Sequence, residues 1–349
     1  MRAKNEHAGV RLLSELLDVP APSGHEDRMA GLVARRLEAI GIAAEIDPAG
    51  NVLARLEGRE PARPTQCLAA HIDELGLVVT QIAHDGKLRV DRLGGLLPWK
   101  LGERPVEILG DHGTIVGAVS MGSGHSPAAS TSAPSWDGVE ILTGLSPDRL
   151  REHGVRVGTP AVPVREVRGP FTFGDPASPW IGAWTFDNRL GVASVLMALE
   201  AMVGEARSPK SPTLIAFTVE EEVGGHGAKI VAHRERPDVF IAIDGSPLVP
   251  ECPVDLDGRP AIRSRDRAAC YDRQLLAEIT RLSADVGVEL QTVVYGGAAS
   301  DASLVHAAGL CPRVACLGYV RASSHGFEVA PRVTIDRLAA VVSTLLMER

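Results

Sequence analysis

Several scarcities bound what this chain can be. Aromatic residues make up only 4% of its 349 residues, too few for the stacked platforms that hold single-stranded nucleic acid. Cationic residues are outnumbered: 36 Lys and Arg stand against 44 Asp and Glu, a formal net charge of -8. That balance disfavours a polyanion, so no nucleic-acid partner is expected. No apolar run reaches the length of a membrane span, and the first residues, Met-Arg-Ala-Lys-Asn-Glu-His, lack the apolar core of a signal peptide. No membrane partner is expected either. The five cysteines (Cys67, Cys252, Cys270, Cys311 and Cys316) are odd in number and never spaced Cys-x-x-Cys. They argue for reduced thiols in a cytoplasmic setting and against a thiolate zinc site, and they suit small core positions. Otherwise the composition is that of a globular protein, 45% hydrophobic and 23% charged, and long enough for a large core and two domains.

The chain is organised around Phe217 to Ala228. The run before it, Pro212 to Val219, is short, apolar and β-branched, the pattern of a buried parallel strand. Three carboxylates follow, Glu220, Glu221 and Glu222, and then Gly224, Gly225 and Gly227. In open α/β sheets ligands bind where strands end, and buried carboxylates are expensive unless paired or metal-bound. A solvated acidic turn is the commoner fate of a charge run. Here the glycines allow close backbone approach, and ligand-type residues recur at other strand ends.

Upstream, Val10 to Leu17 is spaced as a helix. Ser23 and Glu26 have the spacing of a capping box, and Arg28 to Ile40 continues as an amphipathic helix closed by Gly41. Ala43 to Ile46 and Asn51 to Leu56 read as a strand pair, and Gln66 to Ala70 as a buried strand that delivers His71-Ile72-Asp73-Glu74. His71 and Asp73 share one side of an extended segment. A metal-binding histidine usually gives its other ring N–H to such a carboxylate. From Leu75 to about Pro179 short alternating segments separated by turns indicate a small inserted β-rich domain. Within it Gly122 to Trp136 reads as a loop whose His125 is solvated, and Pro147 to His153 as a short helix.

After Trp180 the α/β texture resumes. Asp187 is placed like an N-cap ahead of a helical run from Val192 to Met202; it also suits a carboxylate that bridges two metals. Val239 to Ile243 is a buried strand with Asp244 at its end. Asp272 to Ala284 is a helix, Gln291 to Val294 a strand, Val314 to Leu317 a last buried strand leading to His325, and Thr334 to Met347 a closing helix. His71, Asp187, Glu221, Glu222, Asp244 and His325 thus lie in or just after loops at one edge of a sheet. Imidazoles and carboxylates without sulfur suit zinc, cobalt or manganese. Two histidines and three carboxylates suffice for two metals if one carboxylate bridges, and one acidic residue remains to move protons. That is machinery for hydrolysing an amide.

Taken in order, Pro22-Ser23-Gly24, Ala70-His71-Ile72-Asp73-Glu74-Leu75-Gly76, Phe186-Asp187-Asn188-Arg189-Leu190-Gly191, Glu221-Glu222-Val223-Gly224, Ile243-Asp244, Gly296-Gly297 with Ser300-Asp301-Ala302, and Ser324-His325 resemble the dinuclear metal aminopeptidases of the tetrahedral (TET) and glutamyl-aminopeptidase family, some of which are labelled endoglucanases. Each motif is weak alone; the ordered set spans nearly the whole chain. The resemblance implies a zinc-aminopeptidase-like α/β fold, with a mixed, mostly parallel sheet flanked by helices and an inserted small β-barrel domain. Residues 1–74 and 180–349 would form the catalytic domain, and 75–179 the insert used for dimerisation and substrate access. The resemblance also implies that His71, Asp187 and Asp244 hold one metal and Asp187, Glu222 and His325 the other. Glu221 would be the general base and Asp73 the partner that orients His71. The cofactors would be two divalent ions, zinc first, with cobalt or manganese as alternatives. Short peptides would be the substrates, and the chain a homo-oligomer of dimers, in the family often stacked into hollow dodecamers.

This chain departs from the family pattern at Asn188, where a second aspartate is common, at Gly245-Ser246-Pro247, and across Gly122 to Trp136. A related dinuclear carboxypeptidase, an N-acyl amino acid deacylase and a non-catalytic scaffold are the alternatives. The insertion directly after His71-Ile72-Asp73 favours the aminopeptidase, and the full ligand set with Glu221 speaks against the scaffold.

Overall fold

A computed structural model describes residues 7–125 and 133–349. In chain order the strands are β1 Glu45–Ile46, β2 Val52–Leu56 and β3 Gln66–His71, then β4 Gly76–Ile82, β5 Leu88–Leu93, β6 Pro105–Gly110, β7 Gly113–Ser120, β8 Glu140–Leu142 and β9 Pro160–Pro163. They continue as β10 Phe171–Asp175, β11 Ser178–Trp184, β12 Thr213–Thr218, β13 Val239–Pro247, β14 Pro260–Arg265, β15 Gln291–Val294, β16 Arg313–Arg321 and β17 Phe327–Pro331.

The main sheet has the order β1-β2-β12-β3-β13-β16-β14-β15. Its centre, β12, β3, β13 and β16, is parallel throughout. These four strands are buried on both faces, so they read as near-continuous apolar runs. Their side chains still alternate between two cores. Leu68, Ala70, Ile215, Phe217, Ile241, Ile243, Ala315 and Leu317 join one core, with the helices Ala8–Leu17, Asp27–Ala39, Phe186–Gly204, Arg273–Asp285 and Val333–Glu348. Cys67, Ala69, Leu214, Ala216, Phe240, Ala242, Val314 and Cys316 join the other, under His226–Glu235 and Asp301–Ala307. The result is three layers, with helices on both faces of the sheet.

The strands β4-β5-β8-β7-β6-β9 close into a barrel. Its interior is filled by Leu77, Val79, Leu88, Val90, Val106, Ile108 and Ile141 from alternating inward positions. The barrel strands run from Gly76 to Pro163. β10 lies outside the barrel, in a three-stranded antiparallel sheet with β11 and β17.

Most helices lie within two residues of their expected bounds, and other features differ. Ser23 does not cap a helix: the helix Asp27–Ala39 has Glu26 at its N-cap with no side-chain cap bond, because Ser23 Oγ is engaged elsewhere. β13 and β16 run four residues past Ile243 and Leu317, so Asp244 lies inside a strand rather than at its end. β3 pairs with β13 only as far as Ala69 and Ala242, and Asp244 lies where the two strands have parted. β11, β14 and β17 were not foreseen. β14 carries a buried Arg263 and β17 a buried Glu328, which interrupt the apolar pattern. All five cysteines are free, four of them buried. His125 is exposed, and residues 126–132 of its loop lie outside the described residues. No described helix is long and apolar enough to cross a membrane.

Candidate metal centre

The parallel strands deliver side chains to one crevice, the place this sheet topology favours for a ligand. β3 ends in His71. β12 is followed by the acidic turn, in which Glu220 has φ +55°. β13 carries Asp244, and His325, with φ +59°, lies between β16 and β17. Asp187 follows Thr185 (φ +59°) at the start of the helix Phe186–Gly204, but its own ψ of 100° is not helical. Asn188 after it is not helical either (φ -119°, ψ 35°), so the regular helix starts beyond both and Asp187 is not the residue that caps it. Left-handed backbone at residues other than glycine is unfavourable and clusters at functional sites. Here it flanks three of the converging residues.

Asp187 faces two ways. Its Oδ1 lies 3.3 Å from His71 Nε2, which is also 3.8 Å from Asp244 Oδ1. Its Oδ2 lies 3.8 Å from His325 Nε2, which is 3.9 Å from Glu222 Oε2. Among the described residues, three groups place donor atoms within 4.8 Å of one another: His71–Asp187–Asp244, Asp187–Glu222–His325 and His71–Glu221–Glu222. Donors bonded at about 2.0–2.1 Å to a tetrahedral ion stand roughly 3.3 Å apart, so the first two groups need only small adjustments to close on one ion each. The first two groups coincide with the two ligand sets that the resemblance implies.

The electrostatics fit a cation. Burial, with Asp244 and Glu222 adding to it, pushes the Glu221 carboxyl well above its usual range, and burial with Asp187 does the same to Glu222. Burial would lower His71, but Asp187, Asp244 and Asp73 together raise it well above its ordinary value. Glu222 Oε1 is buried with no partner, an orphaned acceptor of the kind a metal ligand leaves. Oxygen and imidazole donors in this number, with no sulfur among them, would suit two divalent ions such as zinc, cobalt or manganese.

Around these groups lie Asp73, which the sequence singled out as the partner of His71, and Arg263, Arg321 and Glu328, which sequence reasoning passed over. Asp73 Oδ1 is 3.2 Å from His71 Nδ1. Asp73 also accepts the backbone N–H of Glu221 at 3.0 Å, the N–H of Glu222 at 3.2 Å and the hydroxyl of Ser23 at 2.7 Å. One carboxylate thus sets both the imidazole and the acidic turn. Burial alone would raise Asp187, but Arg321, which donates to its Oδ2, and His71 hold it well below the carboxylate range. Arg321 also donates to Glu328 at 2.7 Å, and Glu328 accepts the N–H of Asp187 at 2.9 Å and of His325 at 3.0 Å. Arg263 donates to Asp244 at 3.1 Å and to the Ala299 carbonyl at 2.6 Å. Asn188 takes no part in the carboxylate cluster: it donates to the Ile243 carbonyl at 2.7 Å and accepts from Tyr319 at 3.1 Å. The signal for Arg263, Arg321 and Glu328 was their charge inside otherwise apolar stretches. The cavity in front of these groups measures about 220 Å³ and is bordered by Asp187, Glu221, Glu222, Asp244, Arg263 and His325.

A family model described as M42 glutamyl aminopeptidase matches residues 50–341. A lysyl aminopeptidase of Pyrococcus furiosus is 29% identical over 244 residues, 67% of this chain and 65% of that protein, so the match spans just under two thirds of that relative. Among solved structures, an aminopeptidase of the archaeon Desulfurococcus kamchatkensis superposes with a TM-score of 0.86 at 27% identity, covering 98% of this chain and 95% of that one. A TET1 peptidase of Pyrococcus horikoshii, described as able to assemble into a tetrahedron or a large octahedral shell, has a TM-score of 0.86 at 25% identity, covering 98% and 100%.

Proposed function

The chain belongs to the M42 glutamyl aminopeptidase family, a family of metallo-aminopeptidase hydrolases, and on that premise we propose that it removes N-terminal residues from short peptides with two divalent ions bound. The reading rests above all on the two-sided presentation of Asp187, one oxygen toward His71 and Asp244 and the other toward His325 and Glu222. His71, Asp187 and Asp244 would hold one ion, and Asp187, Glu222 and His325 the other, zinc by preference and otherwise cobalt or manganese. When bound, the pair would polarise the scissile carbonyl and make an attacking water more acidic.

The chain's own residues do the rest. Glu221 takes a proton from the attacking water and passes it to the leaving amine. Asp73 holds His71 in register and fixes the backbone of Glu221 and Glu222, so that base and ligand keep a set separation. Arg321 and Glu328 anchor Asp187 and the His325 backbone. Residues 1–74 and 180–349 would act as the catalytic part and 75–179 would serve dimer contacts and substrate access; assembly into a homo-oligomer is supported by the shells described for the similar TET1 peptidase.

The test is hydrolysis of free and N-acetylated aminoacyl amides and dipeptides after chelation and return of zinc, cobalt or manganese. Cleavage of free amino termini only, and only with metal, is expected. Cleavage of the acylated set would replace this reading with a deacylase or carboxypeptidase, and metal binding without turnover would leave a scaffold.

A further inference from the structure

Among the described residues that border the cavity, the inserted domain contributes Gly95, in the turn between β5 and the short helix Pro98–Leu101. There Leu93 is followed by Gly94 and Gly95. The Gly95 carbonyl oxygen lies 3.1 Å from His325 Nδ1, on the side of the ring away from Asp187 and Glu222, which Nε2 faces. The approach is close enough to exclude any side chain. A Cβ on Gly95 would stand 2.8 Å from both Cε1 and Nδ1 of His325. A Cβ on Gly94, which has φ +77°, would stand 2.5 Å from Leu75 Cδ2 and 3.0 Å from Glu222 Cβ. Each glycine therefore abuts one member of the Asp187–Glu222–His325 group. His71, Asp187 and Asp244 of the other group come from β3, β13 and the start of the Phe186–Gly204 helix, outside the barrel.

We propose that Gly94 and Gly95 are positioning residues for one half of the centre only: the Gly95 carbonyl accepts Nδ1–H of His325, which keeps the ring in the tautomer with Nε2 free to bind the second ion. A carbonyl partner on the far nitrogen is the usual device for fixing a ligating imidazole. His325 needs it, because 36% of its side chain is exposed and little else holds the ring. The inserted domain is then part of the metal site, and its docking sets the affinity of one ion independently of the other. The inference rests on the ligand roles proposed above for His325 and Glu222.

Gly95→Ala is the direct test, since Gly95 is not in the left-handed region and alanine adds only the methyl against the ring. Zinc binding to the metal-free chain is followed by titration calorimetry and by metal content after dialysis, with His325→Ala as the reference for one lost ion. Two ions in the wild type, one lost in His325→Ala, and one weakened about 10- to 100-fold in Gly95→Ala with the other unchanged are expected. If Gly95→Ala keeps both ions at wild-type affinity, or weakens both alike, the proposal fails while the ligand reading stands. If the wild type binds fewer than two, or His325→Ala binds two, the ligand reading fails and takes the proposal with it. A crystal structure of the zinc-loaded wild type decides the matter even if Gly95→Ala does not fold. Zinc on His325 Nε2 with the Gly95 oxygen against Nδ1 supports the proposal; zinc on Nδ1, or a Gly95 carbonyl turned away, overturns it.

Discussion

Replacing Glu74 by glutamine should destabilise the protein more than any comparable surface change. Glu74 is fully buried and follows Asp73 directly. Its carboxylate accepts from Arg168 at 2.5 and 2.7 Å, from Arg189 at 3.2 Å, from the Ala21 N–H at 2.8 Å and from Thr185 Oγ1 at 3.2 Å. Arg168 and Arg189 are themselves fully buried, so one carboxylate neutralises two guanidinium groups. Glutamine keeps the shape and removes the charge. Removing one partner of a buried ion pair costs about 3–5 kcal/mol, because the remaining charge is left uncompensated. That is a large share of a typical folding free energy of about 5–15 kcal/mol.

The pH dependence has a definite sign. Burial alone would raise the Glu74 carboxyl, but Arg168 and Arg189 hold it below its ordinary 4.5. A lowered folded-state value gives stability that is fully present above 4.5 and lost as the pH falls through the folded value. The gap between wild type and Glu74→Gln should therefore be full at pH 7 and close only in acid. Urea unfolding of the metal-free proteins across that range measures it. Adding Arg168→Met to Glu74→Gln should restore part of the loss, so that the double variant loses less than the sum of the singles. A loss at pH 7 below about 1 kcal/mol, well short of what breaking a buried pair costs, or a gap indifferent to acid, would refute the reasoning.

Three further outcomes are expected. Glu221→Gln should keep the fold and both metal ions but lose about 10²- to 10⁴-fold in kcat, measured on a free aminoacyl amide with metal content determined in parallel. Ser23→Ala removes a 2.7 Å donor to Asp73 and should weaken metal binding or turnover about 10-fold or more, while its thermal midpoint moves little. Glu26, raised to about 7 by burial first and by Asp73 second, destabilises the fold as the pH rises from 4.5 to 7, because the unfolded chain ionises it first. Glu26→Gln can still accept the Gly24 and Glu220 N–H bonds, so it should be the more stable form at pH 8, by at most about 3 kcal/mol, and equal to wild type near pH 4.

The parts of this architecture that were legible in the sequence are those with a local cause. β3 and β12 are uninterrupted apolar runs because both faces are covered, and His71 and the Glu221–Glu222 pair stand directly after them. The longer helices announced themselves by apolar spacing, and the expected start at Asp272 is the residue that caps the helix Arg273–Asp285 by accepting the Leu275 N–H at 2.7 Å. What was hidden is non-local. β14 reads poorly because Arg263 sits in its middle, and nothing near it in sequence reveals that Asp244 lies across the sheet to receive it. Ser23 has the spacing of a cap, yet a buried carboxylate 50 residues away claims its hydroxyl. Asp187 has the position of a cap, yet the regular helix begins past Asn188, and the Asp187 carboxylate faces His71 and Arg321, partners far off in sequence.

The arrangement of the central strands also bears on how the molecule comes into being. β12 and β3, β3 and β13, and β13 and β16 are parallel neighbours drawn from distant parts of the chain, and each adjacency is closed only after long intervening segments have found their places. Such pairings form late and slowly. The converging side chains have no partial version: half a sheet brings no two of the ligand trios together. Capture of a pair of ions during refolding would therefore act as a clock, silent through collapse and helix formation and starting only when the last of these strands has docked.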